Sequence, residues 1–363
     1  MRAATEPALP VTIVAHDVGG IGGMERQLSE LIRGLLERGV EVTVVSRTCK
    51  LDDHPRLRWV RVPGPARPFV LAYPWFFFVG TVLVWRNRRG VLHTTGAIVF
   101  NRADVCTVHF SHRGVGRELG RARRTTWPYR FNSALARPLS RLAERAVYRS
   151  GLQLVAVSAG LAEELRAVGS EVVVIPNGVD ADRFRPDASV RAAVRTELGV
   201  DDDGLLALFV GNEWEEKGLA IALAAVARTR NWRLVVVGDG ERDRYAGLGR
   251  ALFVGRRTDV ERLYAAADAF VAPSAYETFS LAAHEAAASG LPLVATRVHG
   301  VDELLSDGAA GVLVERDPGA VAAALGRLED AALRKSMGAA GRAAAERLSW
   351  SSSVDAYVRL YAS

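Results

Sequence analysis

The sequence predicts an α/β protein built from two open, parallel-stranded domains, and three observations carry that prediction. Short apolar strands alternate with helical patterns along most of the chain. The alternation runs twice, with the turn signal Pro176-Asn177-Gly178 between the two runs. Glycine loops follow several strands, and open parallel sheets meet their ligands at such strand ends. With 363 residues, 49% of them hydrophobic, the chain has enough apolar material for two cores of ordinary size.

The first run opens with a strand, Val11–Ala15, and a loop, Gly19-Gly20-Ile21-Gly22-Gly23. Met24, Leu28, Leu31, Ile32, Leu35 and Leu36 then recur at helical spacing. Gly39 ends that helix and Val40–Val45 is the next strand, which completes one βαβ unit. In the second run Leu205–Val210 is a strand, Gly211–Gly218 a turn and Leu219–Ala227 a helix. Leu234–Val237 and Leu252–Val254 are strands; Asp268–Ala272 leads through the loop Pro273–Phe279 into an alanine-rich helix stopped by Gly290 and Pro292, before the strand Leu293–Ala295. The expected domains are residues 1–175 and 176–349. Trp350, Val354, Tyr357, Val358 and Tyr361 form a last helical pattern, expected to cross back (350–363) onto the first domain. Two such sheets side by side would share a crevice at their strand C-termini.

Charge is uneven. Residues 1–180 carry a net +10 and residues 181–363 a net −4. Between Arg113 and Arg149 ten arginines meet only Glu118 and Glu144. Such a stripe attracts anions, whether phosphorylated substrates, acidic headgroups or nucleic acid, or it is a solvated face. No apolar stretch makes a convincing membrane span. Phe69–Trp85 comes nearest, but it holds Pro74 and runs into Arg86, Arg88 and Arg89. It reads as a buried or interfacial helix, with a membrane-inserted segment as the other reading. Met1–Pro10 has no apolar core of a secretory signal. Two cysteines, Cys49 and Cys106, give no disulfide framework and fit a reducing compartment. The expected location is cytoplasmic, peripheral at the inner membrane face if the arginine stripe makes that contact.

The chemistry concentrates in Pro273–Pro292. Glu285 sits in a helix made almost wholly of alanine, so its carboxylate is expected to be desolvated and to need donors. A ribose diol supplies two hydroxyl donors; protein donors are the alternative. Glu277 lies in the loop before that helix. The backbone N–H groups of Phe279, Ser280 and Leu281 open the helix and form a natural phosphate site.

The frame Pro-Ser…Glu277…Glu285-Ala…Gly290-x-Pro292 resembles the signature of the retaining glycosyltransferases of family 4, whose GT-B fold is two Rossmann-like domains facing each other across a cleft. The likeness covers most of the chain. Gly22-Gly23-Met24-Glu25-Arg26 is similar to the family's N-domain glycine loop, and Ile175-Pro-Asn-Gly-Val-Asp180 with Phe184 and Pro186 to its interdomain signature. Phe209-Val-Gly211 through Lys217-Gly218 is similar to its phosphate-binding strand and loop. The resemblance implies that Glu285 binds the ribose hydroxyls, that Glu277 contacts the transferred sugar, and that Lys217 holds the diphosphate. It implies that Gly22 and Gly23 let backbone approach the donor phosphates and that His109, at a strand end, lies near the sugar; by sequence alone His109 is no better placed than His112. The donor set so implied is Gly22, Gly23, Asn212, Lys217, Arg256, Glu277, Thr278, Phe279, Ser280, Leu281 and Glu285, with His109, Glu277 and Lys217 as the catalytic group. One position departs from the family pattern. Many members carry Arg directly after the glycine of Val210-Gly211, where this chain has Asn212. A phosphate clamp is then missing or comes from Arg256 or Arg257. The loop's length, and Ala103-Asp-Val-Cys106, are similar to lipopolysaccharide-core glucosyltransferases.

The resemblance implies transfer from a nucleotide-diphosphate sugar, a UDP-sugar being the expected donor, to an acceptor hydroxyl. The acceptor attacks from the face the diphosphate leaves, so the anomeric configuration is retained, and the protein contributes positioning and charge stabilisation. No cofactor and no metal are expected, since the sequence shows neither Asp-x-Asp nor a His/Cys cluster with ligand spacing. The expected partners are the nucleotide sugar and an anionic or lipid-linked acceptor, with peripheral membrane contact through Arg113–Arg149 and no nucleic acid. A sugar-nucleotide epimerase on the same fold, and a non-catalytic nucleotide-sugar or nucleic-acid binder, are the alternatives.

Overall fold

The computed structural model describes residues 9–20, 22–65, 69–109, 151–166, 171–201, 204–245, 247–248 and 250–363. The arginine stripe 113–149 and His112 lie outside them. The chain forms two compact units: one holds the N-terminal residues through Gly178 together with Trp350–Ser363, and the other holds Val179–Ser349.

In the first unit the described elements are β1 (Val11–Val14), β2 (Asp17–Val18), α1 (Gly23–Glu37), β3 (Val42–Ser46), β4 (Thr48–Cys49), β5 (Leu57–Arg61), α2 (Phe69–Asn87), β6 (Val91–Thr94), β7 (Val105–Val108), β8 (Gln153–Ala156), α3 (Ala159–Arg166) and β9 (Val172–Val174). Seven strands pair in the order β5-β3-β1-β6-β7-β8-β9, every pair parallel. Side chains alternate across the sheet, so both faces need cover. Ile13, Val42 and Val44 join Leu28, Ile32 and Leu35 of α1 on one face. Val14, Val45 and Leu92 join Phe76 and Val84 of α2 on the other.

The second unit runs α4 (Ala188–Glu197), β10 (Leu205–Val210), α5 (Leu219–Ala227), β11 (Trp232–Val237), β12 (Ala251–Gly255), α6 (Val260–Ala266), β13 (Ala269–Ala272), α7 (Leu281–Ala288), β14 (Leu293–Thr296), α8 (Val301–Leu304), β15 (Gly311–Val314), α9 (Pro318–Arg327) and α10 (Ala331–Ala345). Its six strands are parallel in the order β12-β11-β10-β13-β14-β15. Leu206 and Leu208 of β10 face one core, and Ala207 and Phe209 face the other. Asp187, Asp317 and Asp330 cap α4, α9 and α10 by accepting backbone N–H groups, each such cap contributing about 1 kcal/mol. Asp268, at the foot of β13, accepts from Arg191, Arg195 and the Leu206 amide, which supplies a buried carboxylate with the donors it requires.

The last helix, α11 (Trp350–Ala362), belongs to the first unit and packs on α1. The approach is close: a Cβ on Gly34 would stand 2.5 Å from Val354 Cγ2. Tyr357 and Tyr361 then reach the sheet. Hydrogen bonds join Tyr361 OH to His93 Nδ1 (2.7 Å), His93 Nε2 to Thr107 Oγ1 (2.8 Å) and Thr107 Oγ1 to Tyr357 OH (2.8 Å). Burial pushes the His93 pKa down to about 3, so its imidazole is neutral. Among the described residues no helix is long and apolar enough to cross a membrane.

Candidate active site

In an open parallel sheet the crevice opens where strand order reverses. In the second unit that point lies between β10 and β13. The loop after β10 carries Lys217 and the loop after β13 carries Glu277, so two residues sixty positions apart meet because their strands are neighbours. Lys217 Nζ donates to Glu277 Oε1 at 2.6 Å, and Ser274 Oγ donates to the same oxygen at 3.0 Å. Two glycines make the meeting possible. Gly211 has no side chain where the Lys217 stem passes; a Cβ there would stand 2.3 Å from Lys217 Cδ. Gly218 is left-handed (φ 78°), and its Cβ would lie 2.3 Å from the Pro273 carbonyl. The Ala275 amide donates to the Glu216 carbonyl, and Arg316 donates to the carbonyls of Pro273 and Glu215, bracing both loops. Burial works against the Lys217 ammonium, but the charge and hydrogen bond of Glu277, with Glu213 and Glu216 nearby, outweigh it and raise the pKa.

Beside this pair α7 begins. Ser280 precedes it with φ 63° and ψ 73°, the one positive-φ residue other than glycine among the described residues. A serine held there carries strain of the order of 1–3 kcal/mol, the kind found at ligand clamps. It lines the same small pocket as Lys217, Ser274 and Glu277. Phe279 turns inward and stacks on His284, with centroids 4.0 Å apart. His284 Nδ1–H donates to the Ser280 carbonyl; burial, partly opposed by that bond, lowers its pKa to about 4. Glu285 is 6% exposed, and the Tyr264 hydroxyl donates to its Oε2 at 3.2 Å. Thr278 and Leu281 flank these groups and are half-buried.

Asn212 and Arg256 converge on another residue, Asp239. Asn212 Oδ1 accepts from the Asp239 amide at 3.1 Å, and Arg256 Nε pairs with the Asp239 carboxylate at 3.0 Å. Asn212 thereby braces the turn after β11. Gly22, Gly23 and His109 belong to the first unit. Gly22 precedes α1, and its amide donates to Glu25 Oε2 at 2.6 Å. A Cβ on Gly22 would stand 2.1 Å from that oxygen, so the glycine makes room for the chain's own carboxylate. His109 follows β7 half-buried, with its pKa lowered to about 4 by desolvation. Among the described residues no three His, Cys, Asp or Glu side chains gather as a metal site. Sequence reasoning missed Ser274, Tyr264 and Arg316. Ser274 had a weak local signal, three residues before Glu277; the other two come from remote segments and had none.

Fold and sequence together place this chain among the GT-B glycosyltransferases. Residues 21–183 match the family model described as Glycosyltransferase Family 4, and residues 204–330 match that described as Glycosyl transferases group 1. The chain belongs to glycosyltransferase family 4. It is 32% identical to the D-inositol 3-phosphate glycosyltransferase of Xylanimonas cellulosilytica, across 95% of this chain and 92% of that one. Among solved structures, sucrose-phosphate synthase from Thermosynechococcus elongatus superposes with a TM-score of 0.83 at 23% identity, covering 98% of each chain. WaaG, a glycosyltransferase involved in lipopolysaccharide biosynthesis, gives 0.81 at 19% identity, covering 96% of this chain and 98% of that one. Anabaena HepE in complex with UDP-glucose gives 0.70 at 20% identity, covering 97% and 98%.

Proposed function

We propose that this protein transfers a hexosyl group from a UDP-sugar to a hydroxyl of a phosphorylated polyol, with retention of anomeric configuration. The observation that carries the reading is the Lys217–Glu277 pair at the strand-order reversal of the second unit, with Glu285 buried on the adjoining helix. Lys217 meets the diphosphate and, with the amides at the start of α7, offsets the charge that develops as it leaves. Glu277 accepts from hydroxyls of the sugar, and Glu285 accepts from the ribose diol. The acceptor oxygen attacks C1 on the face the diphosphate departs from. The C1–O bond to the diphosphate breaks, and a diphosphate oxygen takes the acceptor proton. His109, in the first unit, stays neutral and can serve as a hydrogen-bonding group. The positive groups already present make a divalent metal unnecessary.

The acceptor class rests on the name of the Xylanimonas relative and on the net positive charge of residues 1–180, which suits a phosphorylated acceptor. The test is a panel of nucleotide sugars incubated with inositol 3-phosphate or with inositol, read by nucleotide release and by the anomeric coupling of the product in NMR. UDP release that requires the phosphorylated acceptor and gives a retained anomer is the expected result. An inverted anomer removes the mechanism, and equal rates with both acceptors remove the acceptor class.

A further inference from the structure

Helix α2 is apolar on every side, yet the sheet covers only one side of it. Ala72, Phe76, Phe77 and Val84 are buried. On the opposite side Leu71 (62% exposed), Phe78 (67%) and Trp85 (76%) stand in solvent, with Trp75 (49%) among them, its indole N–H donating to the Pro63 carbonyl. Their spacings of four, three and seven residues place them in one stripe along the helix. Phe100 (74% exposed) lies beside the helix, its amide bonded to Thr81 Oγ1 and its ring against Phe77. A soluble surface rarely leaves so many large side chains together without a partner.

The surrounding charge selects the partner. Residues 54–103 contain eight arginines and no aspartate or glutamate. Arg58 donates to Asn87 Oδ1 at 2.9 Å, which sets its guanidinium beside the C-terminal end of α2, next to exposed Arg86. Arg88 pairs with Asp104 and Arg89 lies 3.9 Å from Glu41, so part of the field is neutralised, and among the described residues the exposed Arg56, Arg58, Arg61, Arg86 and Arg102 carry the remainder. A second copy of this chain is a poor fit. A two-fold contact through the stripe would set two arginine rims against each other. We infer that the exposed face of α2 docks on the surface of an anionic phospholipid bilayer, the aromatic stripe entering the headgroup layer and the arginines meeting the lipid phosphates. Tryptophan favours that depth, and because the other side of α2 is buried on the sheet only the exposed stripe is free to enter the headgroup layer. The inference concerns this helix face and does not depend on the donor, the acceptor or residues 113–149.

The experiment is flotation of the full chain with vesicles of phosphatidylcholine alone and of phosphatidylcholine containing phosphatidylglycerol. Binding is expected to the anionic vesicles and to weaken as salt rises. The double variant F78Q/W85Q, made at exposed positions, is expected to bind those vesicles about tenfold or more weakly. R61Q/R86Q is expected to lose the preference for anionic lipid. The melting curve should be that of the parent in both variants. Three results overturn the inference: no binding to anionic vesicles, binding that survives F78Q/W85Q, or a dimer in solution that F78Q/W85Q dissolves.

Discussion

Glu285→Gln separates a ribose-binding carboxylate from a structural one. The carboxylate is 6% exposed and already accepts from the Tyr264 hydroxyl at 3.2 Å. Glutamine has the same shape and can keep that bond, so little packing is lost. What changes is the charge facing a ligand. A hydrogen bond to a charged group contributes about 1.5–3 kcal/mol and a neutral one about 0.5–1.5. Two bonds from a ribose diol therefore weaken by about 2–3 kcal/mol together, or about 30- to 150-fold in Kd. The assay is calorimetric titration of UDP, with thermal melting to show that the variant is folded. Uridine should lose the same factor as UDP, because the diol is common to both. A folded Glu285→Gln protein that binds UDP within about threefold of the parent would refute the reasoning.

If the Lys217 ammonium meets the distal phosphate as proposed, Lys217→Met should weaken UDP far more than UMP; equal losses for both would place the lysine elsewhere. Glu277→Gln should leave UDP affinity nearly unchanged while transfer falls about a hundredfold, and a parallel loss of both would show that the two glutamates' roles are confused. Chelation with EDTA should leave the transfer rate unchanged; activity that vanishes and returns with magnesium or manganese contradicts this. The fifth prediction concerns acid. His16, His93, His109 and His284 have pKa values lowered by burial to between about 3 and about 4 from the ordinary 6.5. The unfolded chain therefore binds protons first. Their contribution is fully present above pH 6.5 and is lost as pH falls toward 4, at up to about 1.4 kcal/mol per pH unit for each histidine. The urea midpoint should drop steeply between pH 6.5 and 4.5, and a flat profile would be incompatible with four neutral imidazoles.

The strands and helices around the strand-order reversal of the second unit were legible because apolar strands there end at glycine or proline. Leu205–Val210 and Leu219–Ala227 have the same bounds in the structure. The meeting of Lys217 with Glu277 was not legible, since nothing in a spacing of sixty residues says that two strands are neighbours. Asn212 showed that an arginine was absent, but its use as a brace for Asp239 depends on the path of the next strand. Tyr264 reaches Glu285 from another helix, a contact made by packing alone. On α2 the difficulty is of another kind. A helix apolar on all sides has no periodicity to say which side is covered, so sequence reading stopped between a buried and an interfacial helix.

The first unit is closed by residues synthesised only after the whole second unit. Val354, Tyr357 and Tyr361 complete its core, while the whole second unit lies between them and the rest of it in sequence. A ribosome adds about 5–20 residues per second, so the 171 residues from Val179 to Ser349 take about 10–35 s to emerge. Through that interval the face of α1 around Gly34 is bare, and His93 and Thr107 lack their tyrosines. The second unit has all its strands and caps first. The nascent chain thus finishes its units in the reverse of their order of appearance, and for that time the apolar face of α1 lacks its cover.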